Sequence, residues 1–146
     1  MTRNSDSKVL EFGAKIPGQI YVDRPGAYAV IFGEDGRVGV VRNSKGYFLV
    51  GGGIDENESP EEALYREAKE EIGGKIKIIS KIGEAIEYNF AEELNQYFTK
   101  HGYFYRATLI ETGKGELDHE WQWLILEEAV NKLIPLSQKW AVRCCE

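Results

Sequence analysis

GGGIDENESPEEALYREAKEEIGG, residues 51–74, is the stretch on which our interpretation of this chain depends. It predicts a helix over about residues 60–72. Ser59 fits the N-cap position, and Glu62, three residues later, completes a capping box. Gly73 fits the position after the last turn, where the backbone is commonly left-handed and glycine is preferred. We therefore expect a short loop followed by a well-defined helix near the middle of the chain.

The same segment carries all of the excess charge. It holds eight carboxylates against one arginine and one lysine, and the rest of the chain is balanced, so the net charge of −6 arises here. A long basic groove for nucleic acid is not expected, since phosphate neutralisation needs clustered Lys and Arg. Binding of a cation is the more natural use of such a segment.

Three glutamates of the predicted helix should meet over one patch. Glu67, Glu70 and Glu71 are related by three- and four-residue spacings, so their side chains lie on one face and repel one another. Glu70 and Glu71 also lie near the helix C-terminus, where the macrodipole disfavours anions. An oxygen-rich cluster of this kind suits Mg²⁺ or Mn²⁺. The alternative, a solvated acidic helix face, is equally compatible with composition alone.

The opposite side of the helix is apolar. Leu64, Ala68 and Ile72 share one side, with Tyr65 beside them, and we expect these residues to pack on a sheet.

At 146 residues the chain fits a single domain, residues 1–146, with an irregular or weakly β N-terminal arm over residues 1–26. Apolar and alternating runs predict strands at residues 27–33, 37–43, 75–88, 102–110 and 121–126. The strands at 27–33 and 37–43 should form a hairpin, and the strand at 75–88 should break at Gly83. Short helices are predicted at residues 127–134 and 137–145, on either side of Pro135. This order indicates a mixed α/β (α+β) fold with a sheet covered by helices.

Two further features of the sequence concern the location of the protein and the state of its cysteines. No apolar run approaches the length of a membrane helix, and the first twelve residues contain no apolar signal-peptide core, so we expect a cytoplasmic protein. Cys144 and Cys145 are adjacent, and neighbouring cysteines rarely bridge each other, so we expect two free thiols.

The spacing within the acidic segment then identifies a resemblance. Five residues separate Gly52 from Glu58, and seven separate Glu58 from the Arg-Glu pair at 66–67. Two residues then lead to the Glu-Glu pair at 70–71, and one residue separates that pair from Gly73. The positions are Gly52, Glu58, Arg66, Glu67, Glu70, Glu71 and Gly73. The pattern resembles the Nudix box of the Nudix hydrolases (MutT-like), although Ala68 and Gly74 are smaller than the usual aliphatic residues. The resemblance implies an α/β/α sandwich with a mixed β-sheet.

The resemblance also implies an activity: hydrolysis of a nucleoside diphosphate linked to another group, with Mg²⁺ or Mn²⁺ as cofactor. It implies that Glu70 and Glu71 are the principal metal ligands and that Glu67 is a ligand or the base that activates water. Arg66 would hold the catalytic glutamate in place through a charge-assisted hydrogen bond. No Ser-His-Asp or Cys-His signature suggests a covalent intermediate.

Loops complete the implied site. A carbonyl of Gly51 or Gly52 would join the metal ligands, and Glu58 would support the loop. Many family members draw a further carboxylate from a loop beyond the box, and here Glu120 is the first candidate. Glu116 is the second, and the neighbouring His119 is expected to be a surface histidine.

The substrate is not specified by the box. Phe48 and Tyr88 could stack on a base, and Arg24 and Arg42 could contact phosphates. The substrate class therefore stays open among nucleoside triphosphates, dinucleoside polyphosphates, nucleotide sugars and ADP-ribose.

Two other functions remain alternatives: a Nudix-like nucleotide sensor that does not hydrolyse, and a structural domain with an acidic surface. The expected partner is a small nucleoside diphosphate derivative rather than a membrane or a long nucleic acid, and a homodimer is left open.

Overall fold

The computed structural model describes residues 9–146, and within them nine strands join one mixed sheet. The strands are β1 (Leu10–Phe12), β2 (Tyr21–Asp23), β3 (Gly26–Phe32), β4 (Val38–Asn43), β5 (Gly46–Phe48), β6 (Val50–Gly53), β7 (Lys75–Ala91), β8 (Gln96–Glu111) and β9 (Glu120–Leu124). Three α-helices accompany them in the same range: α1 (Pro60–Ile72), α2 (Leu126–Lys132) and α3 (Leu136–Arg143).

The long hairpin β7–β8 forms the backbone of the sheet. The main path runs β1-β7-β8-β3-β4-β5, while β2, β6 and β9 pair with β8, β3 and β4, respectively. Strands β3 and β8 are parallel, whereas β3 pairs antiparallel with both β4 and β6. The pairing with β6 fixes the glycine run of residues 51–53 beside the central strand, so the loop that precedes α1 starts from a fixed position.

Helices cover both faces of the sheet. On one face Leu64, Ala68 and Ile72 of α1 pack into a buried cluster with residues of β3, β6 and β8. On the other face Leu133 and Ala141 belong to a second buried cluster that joins α2 and α3 to the sheet. Each helix buries its apolar side, as expected for layered α/β folds. The predicted α/β/α sandwich with a mixed sheet is confirmed.

The predicted helix over residues 60–72 is confirmed at both ends, but two details of the prediction were wrong. Tyr65 is 46% exposed and is not among the residues that pack against the buried cluster. Strand β7 does not break at Gly83: it continues, and a shift in its pairing with β8 occurs between Lys81 and Gly83. A bulge absorbs the local irregularity without ending the strand.

The predicted N-terminal arm contains two three-residue strands, β1 and β2, which pair with β7 and β8. Residues 1–8 of the arm lie outside the described residues. Both cysteines are free, as predicted. No helix within residues 9–146 is both long and apolar enough to cross a membrane.

Candidate active site

Helix α1 has the capped geometry that its sequence predicts. The Ser59 hydroxyl accepts a hydrogen bond from the Glu62 N–H at 3.1 Å, and the Glu62 carboxylate accepts one from the Ser59 N–H at 2.8 Å. Gly73 ends the helix with φ 60° and ψ 29°. A side chain at Gly73 would also collide with the backbone of Lys114. Both ends of the helix are therefore fixed, and so are the directions of the glutamates between them.

Arg66 is the centre of one group of contacts, which we call the arginine cluster (Arg66, Glu58, Glu67 and Glu70). Its Nε and NH2 donate to the two oxygens of Glu58 at 2.7 and 2.9 Å, and NH2 also reaches the Gly53 carbonyl at 2.9 Å. Its NH1 donates to Glu67 at 3.2 Å and to Glu70 at 3.3 Å. One guanidinium thus joins the loop to two glutamates of the helix.

The predicted support role of Glu58 agrees with its hydrogen bonds. Its carboxylate also accepts from the Asp55 N–H at 2.8 Å, which closes the loop that enters α1. The bond from Arg66 and then that from the Asp55 backbone lower the pKa of Glu58 to about 2. Such a two-point contact is directional, unlike an ordinary surface ion pair.

Glu67 lies beside the glycine run. Its side chain is only 16% exposed, and burial raises its pKa, an effect that Arg66 opposes. A Cβ atom at Gly52 would lie 2.6 Å from the Glu67 carboxyl carbon. Glycine at position 52 therefore allows the backbone and the carboxylate to approach each other closely.

Glu71 is the most enclosed glutamate of the box. Its side chain is 13% exposed, and one oxygen accepts the Gly51 N–H at 2.8 Å. Burial raises its pKa to about 8, although the Gly51 hydrogen bond opposes this, and the nearby Glu67 and Glu116 add to the rise. Gly51 itself has φ 147°, and a side chain there would collide with the Ala27 carbonyl. The Gly51 N–H thus donates a hydrogen bond to Glu71. The role of the Gly51 carbonyl as a metal ligand stays a prediction.

A loop after β8 brings two more groups to Glu71. The Glu116 carboxylate lies 3.0 Å from His119 Nδ1, and His119 Nε2 lies 3.9 Å from Glu71. One ligand atom from each residue falls within 4.8 Å of the others. We call these three residues the Glu71 cluster. The expectation of a surface histidine was wrong, because the His119 side chain is only 15% exposed.

The loop is held against the end of α1 by its backbone. The Gly113 N–H donates to the Ile72 carbonyl at 3.2 Å, and a side chain at Gly115 would collide with the Glu71 carbonyl. His119 Nδ1 is buried and makes no aligned hydrogen bond to any residue within 9–146, in spite of its short distance to Glu116. The cluster therefore contains a buried polar atom whose hydrogen-bonding capacity the described residues do not use.

Glu120, our first candidate for the additional carboxylate, lies elsewhere. It is 62% exposed, pairs with Arg42 at 3.5 Å and accepts from Gln122 at 2.9 Å. The second candidate, Glu116, is the loop carboxylate that contributes to the Glu71 cluster. The catalytic role of Glu120 stays a prediction that this geometry does not favour.

Glu70 is more exposed than the other two glutamates of the helix face, Glu67 and Glu71. Its side chain is 51% exposed and its contact in the site is with Arg66. It is the most accessible of the three box glutamates, and its role as a metal ligand also stays a prediction.

A cleft of about 390 Å³ adjoins the glutamates on the α2–α3 side of the sheet. Its wall includes Glu71 and Gly51, and also Phe48, Asn89 and Lys100. This volume falls within the range of small-molecule sites. Of the four substrate-binding residues predicted from the sequence, Phe48 is the one that lines this cleft.

The other three predicted substrate residues have different neighbours. Arg24 packs over the Phe98 ring and lines a separate depression beside Gly52 and Gly53. Arg42 is engaged with Glu120. Tyr88 donates its hydroxyl to Glu11 at 2.8 Å. Their substrate-binding roles stay predictions, and the cleft wall contains Asn89 and Lys100, to which no motif in the sequence points.

Comparison with known proteins identifies the family. The family model for the NUDIX domain matches residues 22–143. The chain belongs to the Nudix family, which confirms the resemblance drawn from the acidic segment.

Two curated relatives specify the similarity further. An RNA pyrophosphohydrolase from a Nitratiruptor species is 54% identical over 44 residues, which cover 30% of this chain and 28% of that protein. An RNA pyrophosphohydrolase from Wolbachia sp. subsp. Brugia malayi is 30% identical over 134 residues, covering 80% of this chain and 83% of that protein. The match thus spans little more than a quarter of the first relative and most of the second.

A solved structure shows the same fold. A Nudix hydrolase from Nitrosomonas europaea superposes with a TM-score of 0.69 over 85% of this chain and 88% of the other, at 15% identity. At this identity the likeness concerns the fold alone.

Proposed function

We propose that this protein hydrolyses a pyrophosphate bond in a nucleoside diphosphate derivative, with Mg²⁺ or Mn²⁺ as cofactor. The observation that carries the proposal is the position of Glu71, whose buried carboxylate meets the Gly51 N–H on one side and the Glu116–His119 pair on the other. Membership of the Nudix family supports the reaction class.

The donor set fits a divalent cation. Carboxylate oxygens of Glu71 and Glu116 lie within 4.8 Å of each other and of a His119 nitrogen. The Glu71 side chain is only 13% exposed, and a second carboxylate beside such a group disfavours its ionised form unless a counter-charge is present. Glu70 would add an oxygen ligand from the same helix face. A bound cation supplies Lewis-acid chemistry: it neutralises the pyrophosphate and lowers the pKa of water.

The residues of the chain then have separate tasks. Glu67 accepts the proton of the attacking water at a carboxylate oxygen, since its raised pKa brings it nearer to neutral pH. Arg66 keeps Glu67 oriented through the 3.2 Å bond. The Gly51 N–H orients Glu71, and the cleft beside it holds the nucleotide so that its pyrophosphate faces these groups.

The names of the two curated relatives suggest a particular class of substrate. Both are RNA pyrophosphohydrolases, so we propose that the pyrophosphate can belong to the 5′ end of an RNA as well as to a free nucleotide. Recognition of an end needs only the terminal nucleotides in the cleft. This substrate is therefore compatible with a chain that lacks excess basic charge.

The test is a product-resolved hydrolysis screen with Mg²⁺ and Mn²⁺. The panel contains ordinary and oxidised nucleoside triphosphates, ADP-ribose, nucleotide sugars, dinucleoside polyphosphates and a short 5′-triphosphorylated RNA. Metal-dependent cleavage by the wild type that is absent from Glu71→Gln supports the proposal. The exposed Glu56→Gln variant, from the same segment, serves as the matched control and should be fully active. Binding without cleavage across the panel would contradict hydrolysis and favour the sensor alternative.

A further inference from the structure

The cleft beside Glu71 contains an amide oxygen that accepts no hydrogen bond from the described residues. Asn89 lies on β7, and its Oδ1 atom is buried yet accepts no hydrogen bond from any residue in the described range 9–146. Buried polar groups in folded proteins are nearly always paired, so an unpaired one that lines a cleft points to a ligand.

Two other polar side chains of the cleft wall, Glu87 and Gln138, already have hydrogen-bond partners. Glu87, two residues before Asn89, accepts from the Ser137 N–H at 3.0 Å, from its hydroxyl at 2.7 Å and from the Leu136 N–H at 3.1 Å. Gln138 accepts the Leu49 N–H at 2.7 Å through its Oε1. These two side chains tie α3 to β7 and to the chain between β5 and β6. Asn89 has no comparable structural task through its Oδ1.

Two further groups of the cleft match the rest of a nucleotide. Phe48 lines the wall, and none of the aromatic ring pairs within residues 9–146 includes it, so its ring is not engaged with another ring. Lys100 also lines the wall, and it belongs to no ion pair in the same part of the chain. An aromatic face, an amide and an ammonium group are the chemistry that binds a base and its phosphate.

We propose that Asn89 reads the hydrogen-bonding edge of a nucleobase held in this cleft, with Phe48 against the face of the base. An amide presents an acceptor and a donor side by side, and RNA bases present the complementary pair on their edges. The cleft continues to Glu71 and Gly51, so a nucleotide bound there has its phosphates toward the acidic cluster. The inference rests on the proposed function for the assignment of that end as the hydrolytic one.

The test measures binding rather than hydrolysis. Isothermal titration in the presence of Mg²⁺ compares AMP, GMP, CMP and UMP with ribose 5-phosphate, which has the sugar and phosphate but no base. We expect the wild type to bind at least one nucleotide more tightly than ribose 5-phosphate. In Asn89→Leu we expect that preference to fall by about tenfold or more, while the affinity for ribose 5-phosphate stays the same.

Thr99→Val is the matched control. Thr99 Oγ1 is the other buried oxygen of this hairpin without a partner among the described residues, but Thr99 does not line the cleft, so removal of its hydroxyl should leave both affinities unchanged. Asn89→Asp, nearly isosteric and lacking the amide donor, should fold like wild type and lose affinity for the preferred nucleotide. Thermal melts verify that each variant is folded.

Two results would overturn the inference: equal binding of all four nucleotides and ribose 5-phosphate by the wild type, or an unchanged preference in a folded Asn89→Leu. Either result is compatible with an active hydrolase. Conversely, a base preference that depends on Asn89 in a chain that cleaves nothing would overturn the proposed function alone.

Discussion

The arginine cluster and the Glu71 cluster each combine residues of helix α1 with residues of a loop, but they balance their negative charge differently. In the first, Arg66 donates to Glu58, Glu67 and Glu70, and the pKa of Glu58 falls to about 2. In the second, the basic group beside Glu71 is His119 at 3.9 Å, and the pKa of Glu71 rises to about 8. Arg66 offsets the negative charge within the arginine cluster, whereas the Glu71 cluster has two carboxylates and a histidine nitrogen placed to accept a cation.

This comparison makes Glu71 the most sensitive position. We expect Glu71→Gln to fold like the wild type and to lower kcat by several orders of magnitude, because metal ligation contributes several kcal/mol of transition-state stabilisation. Steady-state kinetics with a substrate from the screen, together with circular dichroism, measure both effects. Glu56→Gln controls for the removal of one charge from the segment. If a folded Glu71→Gln variant kept normal turnover, the Glu71 cluster would not differ in function from the arginine cluster.

The arginine cluster should respond in both stability and activity. Arg66→Lys keeps the charge but loses the planar fork that binds Glu58 at two points, so we expect a loss of about 1–3 kcal/mol in the free energy of unfolding. Misplacement of Glu67 should lower kcat roughly tenfold to hundredfold. Denaturant unfolding and kinetics measure these effects.

The control for this variant is Arg37→Lys, which alters an exposed pair with Asp35 at 3.5 Å. It should change neither quantity, since exposed pairs contribute little. If Arg66→Lys behaved like Arg37→Lys, the cluster would be an ordinary surface network.

A pair of variants distinguishes the two candidates for the loop carboxylate, Glu116 and Glu120. Glu116→Gln should raise the Mn²⁺ concentration needed for half-maximal activity by about tenfold, because Glu116 belongs to the Glu71 cluster. Glu120→Gln should shift it much less, since Glu120 pairs with Arg42 instead. Activity measured over a Mn²⁺ series decides between them. The opposite order of effects would restore Glu120 as the additional carboxylate.

The smallest effect concerns acid stability. The pKa of Glu58 lies below its ordinary value of 4.5, so its ionised form stabilises the fold above that pH, and this contribution is lost as the pH falls towards about 2. The melting temperature of the wild type should therefore fall more steeply from about pH 5 to about pH 2 than that of Glu58→Gln. Melting curves followed by circular dichroism at several pH values measure the slopes. Parallel slopes would contradict the assigned role of the Arg66–Glu58 contact.

The local elements could be predicted because their signals lie within a few residues. The capping box at Ser59 and Glu62 and the glycine at position 73 set the limits of α1, and the structure reproduces them. The bulge at Gly83 was mistaken for a break because an isolated glycine in an alternating run is compatible with both. Pairing with a long neighbouring strand decides between them, and a single segment carries no information about its neighbour.

In the candidate site, too, the residues with a local sequence signal could be predicted, and those brought together by the fold could not. The box glutamates and Arg66 follow from a fixed spacing on one helix. His119 and Asn89 could not be identified, since each becomes relevant through a contact distant in sequence: His119 with Glu71, and Asn89 with a cleft wall that includes Phe48. The resemblance favoured Glu120 over Glu116 as the loop carboxylate, and that preference stays a prediction. In the structure Glu120 begins β9 and pairs with Arg42, while Glu116 lies in the Glu71 cluster.

Direct titration of Mn²⁺ tests the central claim most directly. The electron paramagnetic resonance signal of free Mn²⁺ disappears on binding, so it reports occupancy without any substrate. We predict that the wild type binds Mn²⁺ and that Glu71→Gln binds it at least about tenfold more weakly at physiological ionic strength, while Glu56→Gln matches the wild type. Equal binding by wild type and Glu71→Gln would contradict the claim that the Glu71 cluster holds the cation.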